Sequence, residues 1–322
     1  MYGKIQRNEA YKSHLLDFIS QVYGLKAISL TEAKRGFYGE TWCLELPDGR
    51  YFVKLDYSSL HKSIFSDSLA VIEHLCKHGV DCVAKVIKTV NGAMFTNYAS
   101  AILGVFEWID GKNIQDETTK IPEYQMLAKI YTIPAEGVPL AKESFDTAYI
   151  DTFLSHHERL KLHTDDSSAK QLLRLFDEKS ESIRHYSERF MDFANRCRTN
   201  YDHFYITHGD AGGNIIVNGD KFFIVDWDEP KLAPPERDAW FCMHWNWAMN
   251  AFHDALRQNG IDYTLKPDRL AFYSYNNFFH YLTEYLTAFY DLHDMRGALL
   301  QSISEYFDGW IKDNLQYANS IE

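Results

Sequence analysis

What the sequence lacks narrows its class first. No stretch approaches the roughly 18 consecutive apolar residues of a membrane-spanning helix. The N-terminal "MYGKIQRNEAYKSHLLDFISQVYG" has no continuous apolar core of the secretory type. A cytoplasmic protein with no membrane partner is expected. The five cysteines are Cys43, Cys76, Cys82, Cys197 and Cys242, an odd number with no C-x-x-C spacing. That argues against a disulfide framework or a zinc knuckle and for reduced, buried thiols. Basic residues are outnumbered, 33 Lys and Arg against 45 Asp and Glu, for a net charge of −12. Such a surface repels a nucleic-acid backbone, so no nucleic-acid partner is expected. It would suit a cationic small molecule, and it also serves plain solubility. Internal repeats and low-complexity segments are absent.

What is present is aromatic and patterned. The 322 residues include 21 Tyr, 21 Phe and 7 Trp, enough large rings to stabilise a sizeable core. Leu15, Leu16, Phe18, Ile19 and Val22 recur at helical spacing, and Gly24 is a plausible stop. Short extended runs follow: "KAISLTEA", "ETWCLEL" and "RYFVKLD". The last two are joined by Pro47-Asp48-Gly49, a turn in which Pro presets φ. A helix is predicted over roughly 63–78, with Phe65, Leu69, Ile72 and Cys76 on one face. "CVAKVIKTV" and "AMFTNY" are expected to pair across Asn91-Gly92. "SAILGVFEWI" reads as one more strand.

Beyond Asp110-Gly111 the pattern becomes helical, with helices predicted in 121–133, 146–162 and 168–200. More follow at 237–258, 267–290 and 296–318. The expected fold is therefore α+β with two lobes. Residues 1–108 form an antiparallel sheet with one internal helix, and 109–322 a larger, mainly helical lobe. A cleft between lobes is a usual place for a ligand.

One segment interrupts the helices: "THGDAGGN", Thr207 to Asn214, then "NIIVNGDKFFIVDWD". A turn at Asn218-Gly219 would fold 215–217 against 221–225. That brings Asn214 and Asp226 to one end of a hairpin, with Asp210 just beyond. Three oxygen-bearing side chains converge, and hard cations such as Mg²⁺ choose such oxygens. Phosphoryl transfer needs that metal to neutralise phosphate charge and a carboxylate to take the proton of the attacking hydroxyl. Taken singly, each fragment is also compatible with ordinary turns and surface strands.

"HGDAGGN", "IVDWDEP" and "LAPPERDAW" together resemble the aminoglycoside phosphotransferase and choline kinase family, and the last two segments are similar to those of spectinomycin phosphotransferases. The resemblance implies a protein-kinase-like fold. It also implies transfer of the γ-phosphoryl of ATP, with GTP as the other donor to consider, to a small-molecule hydroxyl with Mg²⁺. It makes Asp210 the catalytic base, Asn214 and Asp226 the metal ligands, and His208 a structural histidine. Lys54 in "YFVKLD" becomes the phosphate-binding lysine. Glu73 is its expected acidic partner on the next helix, with Asp67 as the other candidate. Gly36 and Gly39, in "RGFYGETW", lie where a flexible loop covers the phosphates, although the full G-x-G-x-x-G pattern is missing. Glu107 and Ile109 would meet the adenine edge through main-chain atoms. Arg237 and Asp238 match a position that braces the loop. Asp228 faces either the metal or the acceptor, or it is a solvated neighbour.

The acceptor side is the least specific. Trp240, Trp245 and Trp247 with His244, and Glu284 on a later helix, are candidates to receive a cationic amine, although aromatic stripes at helical spacing are usually core. "FYSYNNFFHYLTEYL" is less charged than the matching region of spectinomycin phosphotransferases. The leading expectation is a kinase of a small, cationic, aminoglycoside-type acceptor that confers antibiotic resistance. The alternatives are a metabolic kinase for choline, a methylthio-sugar or a similar alcohol, and a nucleotide-binding pseudokinase. The last is motivated by the shortened loop: three residues separate Asp210 from Asn214 where protein kinases have four. Gly212 and Gly213 could compensate through backbone angles closed to other residues. A protein kinase is disfavoured, because D-F-G and A-P-E elements with an activation segment between them are not recognisable.

Overall fold

The computed structural model describes residues 7–33, 39–57, 59–114, 116–163, 165–199, 202–291 and 296–322. The chain separates into two compact units, one of residues 1–142 with 205–232, the other of 143–204 with 233–322. The lobes expected at 1–108 and 109–322 divide the chain by role, whereas these units divide it by packing.

The first unit is built on an antiparallel sheet. Its strands are β1 (Ser29–Glu32), β2 (Gly39–Leu46), β3 (Gly49–Asp56), β4 (Val86–Ile87), β5 (Thr96–Tyr98) and β6 (Ala101–Glu107), in the order β1-β2-β3-β6-β4, with β5 also on β6. Helix α1 (Glu9–Tyr23) closes one face. Asn8 caps it by accepting from the Tyr11 N–H, and Gly24 ends it in the left-handed region. Its Leu15, Ile19 and Tyr23, spaced four apart, pack with Leu30, Trp42, Leu44, Val53, Leu55, Leu103 and Val105. Each fully buried side chain of this kind contributes about 1.5–3 kcal/mol. Glu40, also buried here, is satisfied by Tyr11 and Tyr57 hydroxyls at 2.9 and 2.8 Å and the Trp42 indole at 3.1 Å.

The β2–β3 hairpin forms as expected, with Leu46 opposite Gly49 across Pro47-Asp48. The pairing expected across Asn91-Gly92 does not. A tight turn is present there, the Gly92 N–H donating to Thr89 O at 2.8 Å. However, β4 and β5 each pair with β6, at Val86–Phe106 and Thr96–Leu103. The turn signal was local, whereas the longer β6, buried from Ala101 to Phe106, offers both segments a better partner.

Helix α2 (Ser59–Lys77) follows β3. The rest of this unit holds β7 (Lys112–Asn113), α3 (Lys120–Tyr131), β8 (Tyr205–Thr207), β9 (Ile215–Asn218), β10 (Lys221–Ile224) and β11 (Lys231–Ala233). β9 lies between β10 and β7, and β8 pairs with β11. Lys221 faces Asn218, so the hairpin loop is Gly219-Asp220, one residue later than expected. Gly219 has positive φ and Asp220 does not.

The second unit is helical: α4 (Ala148–Lys161), α5 (Ser167–Glu178), α6 (Ser180–Cys197), α7 (Glu236–Ala239), α8 (Asn246–Gln258), α9 (Pro267–Asp291), α10 (Arg296–Tyr306) and α11 (Lys312–Ser320). The long α9 is its axis and packs against α4, α6, α10 and α11. Three helices expected as single runs are broken: at Lys179, at Trp240–Trp245 and at Phe307–Ile311. A polar network of buried Arg269, Tyr263 and Glu236 with half-exposed Asp202 holds the base of α9. Arg269 donates to the Tyr263 hydroxyl and Asp202 Oδ1, and Tyr263 donates to Glu236 Oε1, at 2.8–2.9 Å. No described helix is long and apolar enough to cross a membrane.

Candidate active site

The site is assembled within the first unit from four places in the chain. Lys54 lies on β3 opposite Gly104 of β6 and Thr41 of β2, so two neighbouring strands fix its backbone. Its side chain is only 15% exposed. Its Nζ lies 2.6 Å from Asp226 Oδ1 and 2.6 Å from each Asp228 oxygen. Burial disfavours the ammonium, but the two carboxylates outweigh it and hold the Lys54 pKa above its ordinary value. Burial likewise works against the Asp226 charge, and Lys54 overrides it, leaving the Asp226 pKa below the usual range.

The carboxylates reach one cation through an unusual backbone. Asp226 adopts φ +65°, and the Asp228 N–H returns to Asp226 O at 2.9 Å. Between them Trp227 is 3% exposed, its indole N–H donating to Ile224 O at 3.2 Å. This turn follows on the extended backbone of β10.

The "THGDAGGN" loop leaves β8 and makes a 3₁₀ turn over Ala211–Gly213. His208 is 2% exposed and fastens the loop. Its Nδ1 accepts from the Asp210 N–H at 3.2 Å, which leaves the proton on Nε2 to donate to Val225 O at 3.0 Å. The His208 ring also meets Trp227 edge-on at 4.6 Å. The loop that carries Asp210 is thus tied to the strand end that carries Asp226. The Asn214 amide nitrogen donates to Asp210 O at 2.8 Å and Asp210 Oδ2 at 3.2 Å. Across the hairpin, the Val225 N–H donates to Asn214 O at 3.0 Å.

In this loop Gly212 acts by its size. Neither Gly212 nor Gly213 has positive φ, contrary to the expected use of special backbone angles. A Cβ on Gly212 would instead lie 2.6 Å from Lys120 Nζ. Lys120, on α3, is 8% exposed and bonds Glu123 Oε2 at 2.9 Å, and Glu123 is 2% exposed. A buried ion pair therefore occupies the space under the loop.

Several expected partners sit elsewhere. Glu73 does not meet Lys54. It binds Lys88 at 2.5 Å and Lys77 at 3.2 Å, and its pKa is lowered, chiefly by the Lys88 hydrogen bond. Helix α2 contributes Ser68, whose hydroxyl lies 2.9 Å from Asp228 O. Asp228 faces Lys54 rather than standing solvated. Gly39 opens β2 opposite Asp56, and Gly36 lies outside the described residues. Glu107 ends β6 with its N–H bonded to Lys85 O at 2.8 Å, and Ile109 is half-buried just beyond.

On the acceptor side, Trp240 is 5% exposed and packs against Phe241 and Trp310 in the second unit, a core position rather than a platform. Trp245 and Trp247 stack at 5.9 Å and are more than a third exposed. His244 Nδ1 meets Asn314 Oδ1 at 3.2 Å, and Glu284 is half-buried on α9. Arg237 and Asp238 are both buried. Ser68 and Lys120 escaped sequence reasoning. One is a serine on an amphipathic helix and the other a lysine three residues before a glutamate, and neither pattern is distinctive.

The oxygen donors suit a hard cation. Among the described residues no hydrogen bond engages Asn214 Oδ1, and no cage of three or more His, Cys, Asp or Glu exists. One or two carboxylates completed by phosphate and water is the set magnesium prefers.

A family model described as "Phosphotransferase enzyme family" matches residues 29–273. The chain belongs to this family. It is a small-molecule phosphotransferase with a kinase-like fold. A search of curated proteins finds no match. Among solved structures it is similar to spectinomycin phosphotransferase in complex with ADP and spectinomycin, at 18% identity and TM-score 0.79, covering 98% of each chain. The amicoumacin kinase hAmiN, in complex with AMP-PNP, Ca²⁺ and Ami, matches at 16% identity and TM-score 0.60, over 92% of this chain and 93% of that one. Choline kinase from Cryptosporidium parvum Iowa II matches at 10% identity and TM-score 0.54, over 96% of each. At these identities the likeness is one of fold.

Proposed function

We propose that the phosphotransferase moves the γ-phosphoryl of ATP to a hydroxyl of a small cationic molecule of the aminocyclitol type, with magnesium as the resident metal. The observation that carries this reading is the convergence on Lys54 of Asp226, beside a loop that presents Asp210 and Asn214. The adenine nucleotides and Ca²⁺ bound by the similar structures support ATP and a divalent metal. The spectinomycin and amicoumacin complexes support a small antibiotic-like acceptor.

In this mechanism Asp210 accepts the proton of the attacking hydroxyl and orients that oxygen. His208 holds the Asp210 backbone in place. Lys54 binds the α- and β-phosphates. Asn214 Oδ1 and Asp226 would hold magnesium, which when bound neutralises charge on the transferring group. Most of the rate enhancement comes from positioning and electrostatics. Gly36, Gly39, Glu107 and Ile109 would border the nucleotide.

The test is ADP release over a panel of acceptors: spectinomycin, aminoglycosides, choline and a methylthio-sugar. Turnover with an aminocyclitol, lost in Asp210→Ala while ATP still binds, is the expected result. Turnover with choline alone would replace the acceptor assignment. ATP binding with no turnover by the intact enzyme would replace the kinase reading itself.

A further inference from the structure

We infer that Asp228 is the positioning residue for Lys54, the task expected of an acid on α2, and that α2 acts through Ser68 instead. This rests on the proposed role of Lys54 toward phosphate.

The geometry separates two tasks between two carboxylates. Asp226 is the metal-ligand candidate, so it cannot also remain the fixed anchor of the lysine once a cation claims its oxygens. Asp228 grips Lys54 Nζ through both oxygens at 2.6 Å, and its side chain is 34% exposed, less than the 48% of Asp226. The acid expected in this role is committed elsewhere: Glu73 sits between Lys88 and Lys77. What α2 does offer is Ser68, 3% exposed, whose hydroxyl proton is shared between Ile64 O at 3.1 Å and Asp228 O at 2.9 Å. The chain of contacts runs from helix to serine, to the backbone of Asp228, to its carboxylate, to the ammonium. A shift of α2 is thereby transmitted to Lys54 without any helix-borne charge.

A carboxylate in this position keeps the long side chain of Lys54 in one rotamer and keeps its ammonium aimed. Loss of that restraint misplaces the cation by an ångström or more, an error that costs about 100-fold in favourable cases. Neutralising Glu73 has no such consequence, because its partners are surface lysines.

The experiment compares Asp228→Asn, Asp228→Glu, Ser68→Ala and Glu73→Gln in the full chain, with two readouts. The first needs no nucleotide: the ¹⁵Nζ–¹H correlation of Lys54, identified by its loss in Lys54→Met. The second is the KM and kcat for ATP at saturating Mg²⁺. Asp228→Asn should broaden or abolish the Lys54 correlation and lower kcat/KM for ATP by about 10- to 100-fold. Asp228→Glu should restore part of both. Ser68→Ala, the milder variant should Asp228→Asn fail to fold, should lower kcat/KM about fivefold, the worth of one hydrogen bond. Glu73→Gln should leave both within about twofold. The inference is overturned if Glu73→Gln reproduces the loss, or if Asp228→Asn keeps the Lys54 correlation and the ATP parameters. It is also overturned if Asp228→Asn raises only the Mg²⁺ requirement, which would make Asp228 a metal ligand. An intact enzyme that neither binds nor turns over ATP would instead refute the functional reading, and the Lys54 correlation would still decide the pairing.

Discussion

Replacing Gly212 by alanine is the sharpest probe of the catalytic loop, because two physical effects of opposite sign compete there. A Cβ at this position would stand 2.6 Å from Lys120 Nζ, about 0.8 Å inside ordinary contact, which begins at 3.4 Å. Elsewhere a lysine tip would swing aside at little cost. Here it is 8% exposed and fixed to Glu123 at 2.9 Å. Breaking a buried pair by removing one partner costs about 3–5 kcal/mol. Displacement without removal keeps part of the attraction, so Gly212→Ala should destabilise by about 1–3 kcal/mol. The opposing effect is chain entropy. Gly212 is not in the left-handed region, and Gly→Ala at a compatible position stabilises by about 0.4–1 kcal/mol. A double-mutant cycle separates the two. In a Lys120→Met, Glu123→Gln background the clash with the ammonium is gone, and Gly212→Ala should become neutral or stabilising. The assay is urea unfolding of the four variants, followed by ATP turnover of each. A neutral effect of Gly212→Ala alone, or an undiminished cost in the Lys120→Met, Glu123→Gln background, would refute the claim that the glycine makes room for Lys120.

Gly39→Ala should be more damaging than Gly212→Ala, because its Cβ would meet the Leu55 carbonyl oxygen at 2.3 Å, and strand backbone cannot retreat as a side chain can. A loss of about 2–3 kcal/mol is expected in thermal unfolding. His208→Ala removes both ties between the Asp210 backbone and Val225, and should lower kcat by about 10- to 100-fold with a much smaller change in KM for ATP. A pH test uses Asp202, whose carboxyl is pulled down to about 2 by the Lys266 hydrogen bond, with burial opposing and Arg269 assisting. A depressed carboxylate pKa stabilises above the unfolded value near 3.9 and loses that contribution as pH falls toward 2. Asp202→Asn should therefore destabilise at pH 7 by only about 1 kcal/mol, since the carboxylate is 44% exposed and solvent screens it. The gap to the parent should close between pH 4 and 2 in urea unfolding, and a constant gap would contradict the assignment.

The parts that were legible in the sequence are those governed by local rules. The order Lys54, Asp210, Asn214, Asp226 depends on short segments, and Lys54 lies on the expected strand and Asp210 and Asn214 on the expected loop. The β2–β3 hairpin was readable because Pro47 presets its turn. What escaped depends on competition between distant groups. Glu73 could have met Lys54, but Lys88, near the end of β4, lies beside it and claims it first. The Asn91-Gly92 turn formed, yet pairing went to β6, because partner choice follows burial rather than turn chemistry. The loop glycines were singled out for backbone angles that neither adopts, and for Gly212 the structure shows a steric reason instead. That reason is a lysine some ninety residues earlier, which no local pattern announces.

The handedness at Asp226 has the largest consequence for the site. Alternation along a strand would also send residues 226 and 228 to one side, but with Cα atoms roughly 6.5–7 Å apart. A single ammonium at 2.6 Å from oxygens of both requires those oxygens to lie within twice that distance of each other. Asp226 sits at φ +65°, and at Trp227 the chain folds back, the Asp228 N–H bonding Asp226 O. A left-handed residue costs about 1–2 kcal/mol, less for aspartate than for most. Burial of the Trp227 ring offsets that cost, as does its indole bond to Ile224 O. Trp227 is thus more than a core residue. It helps to hold the turn in which a prospective metal ligand and a lysine anchor stand side by side. Two carboxylates brought this close would repel each other without a shared cation, so the turn, the tryptophan and Lys54 stabilise one another.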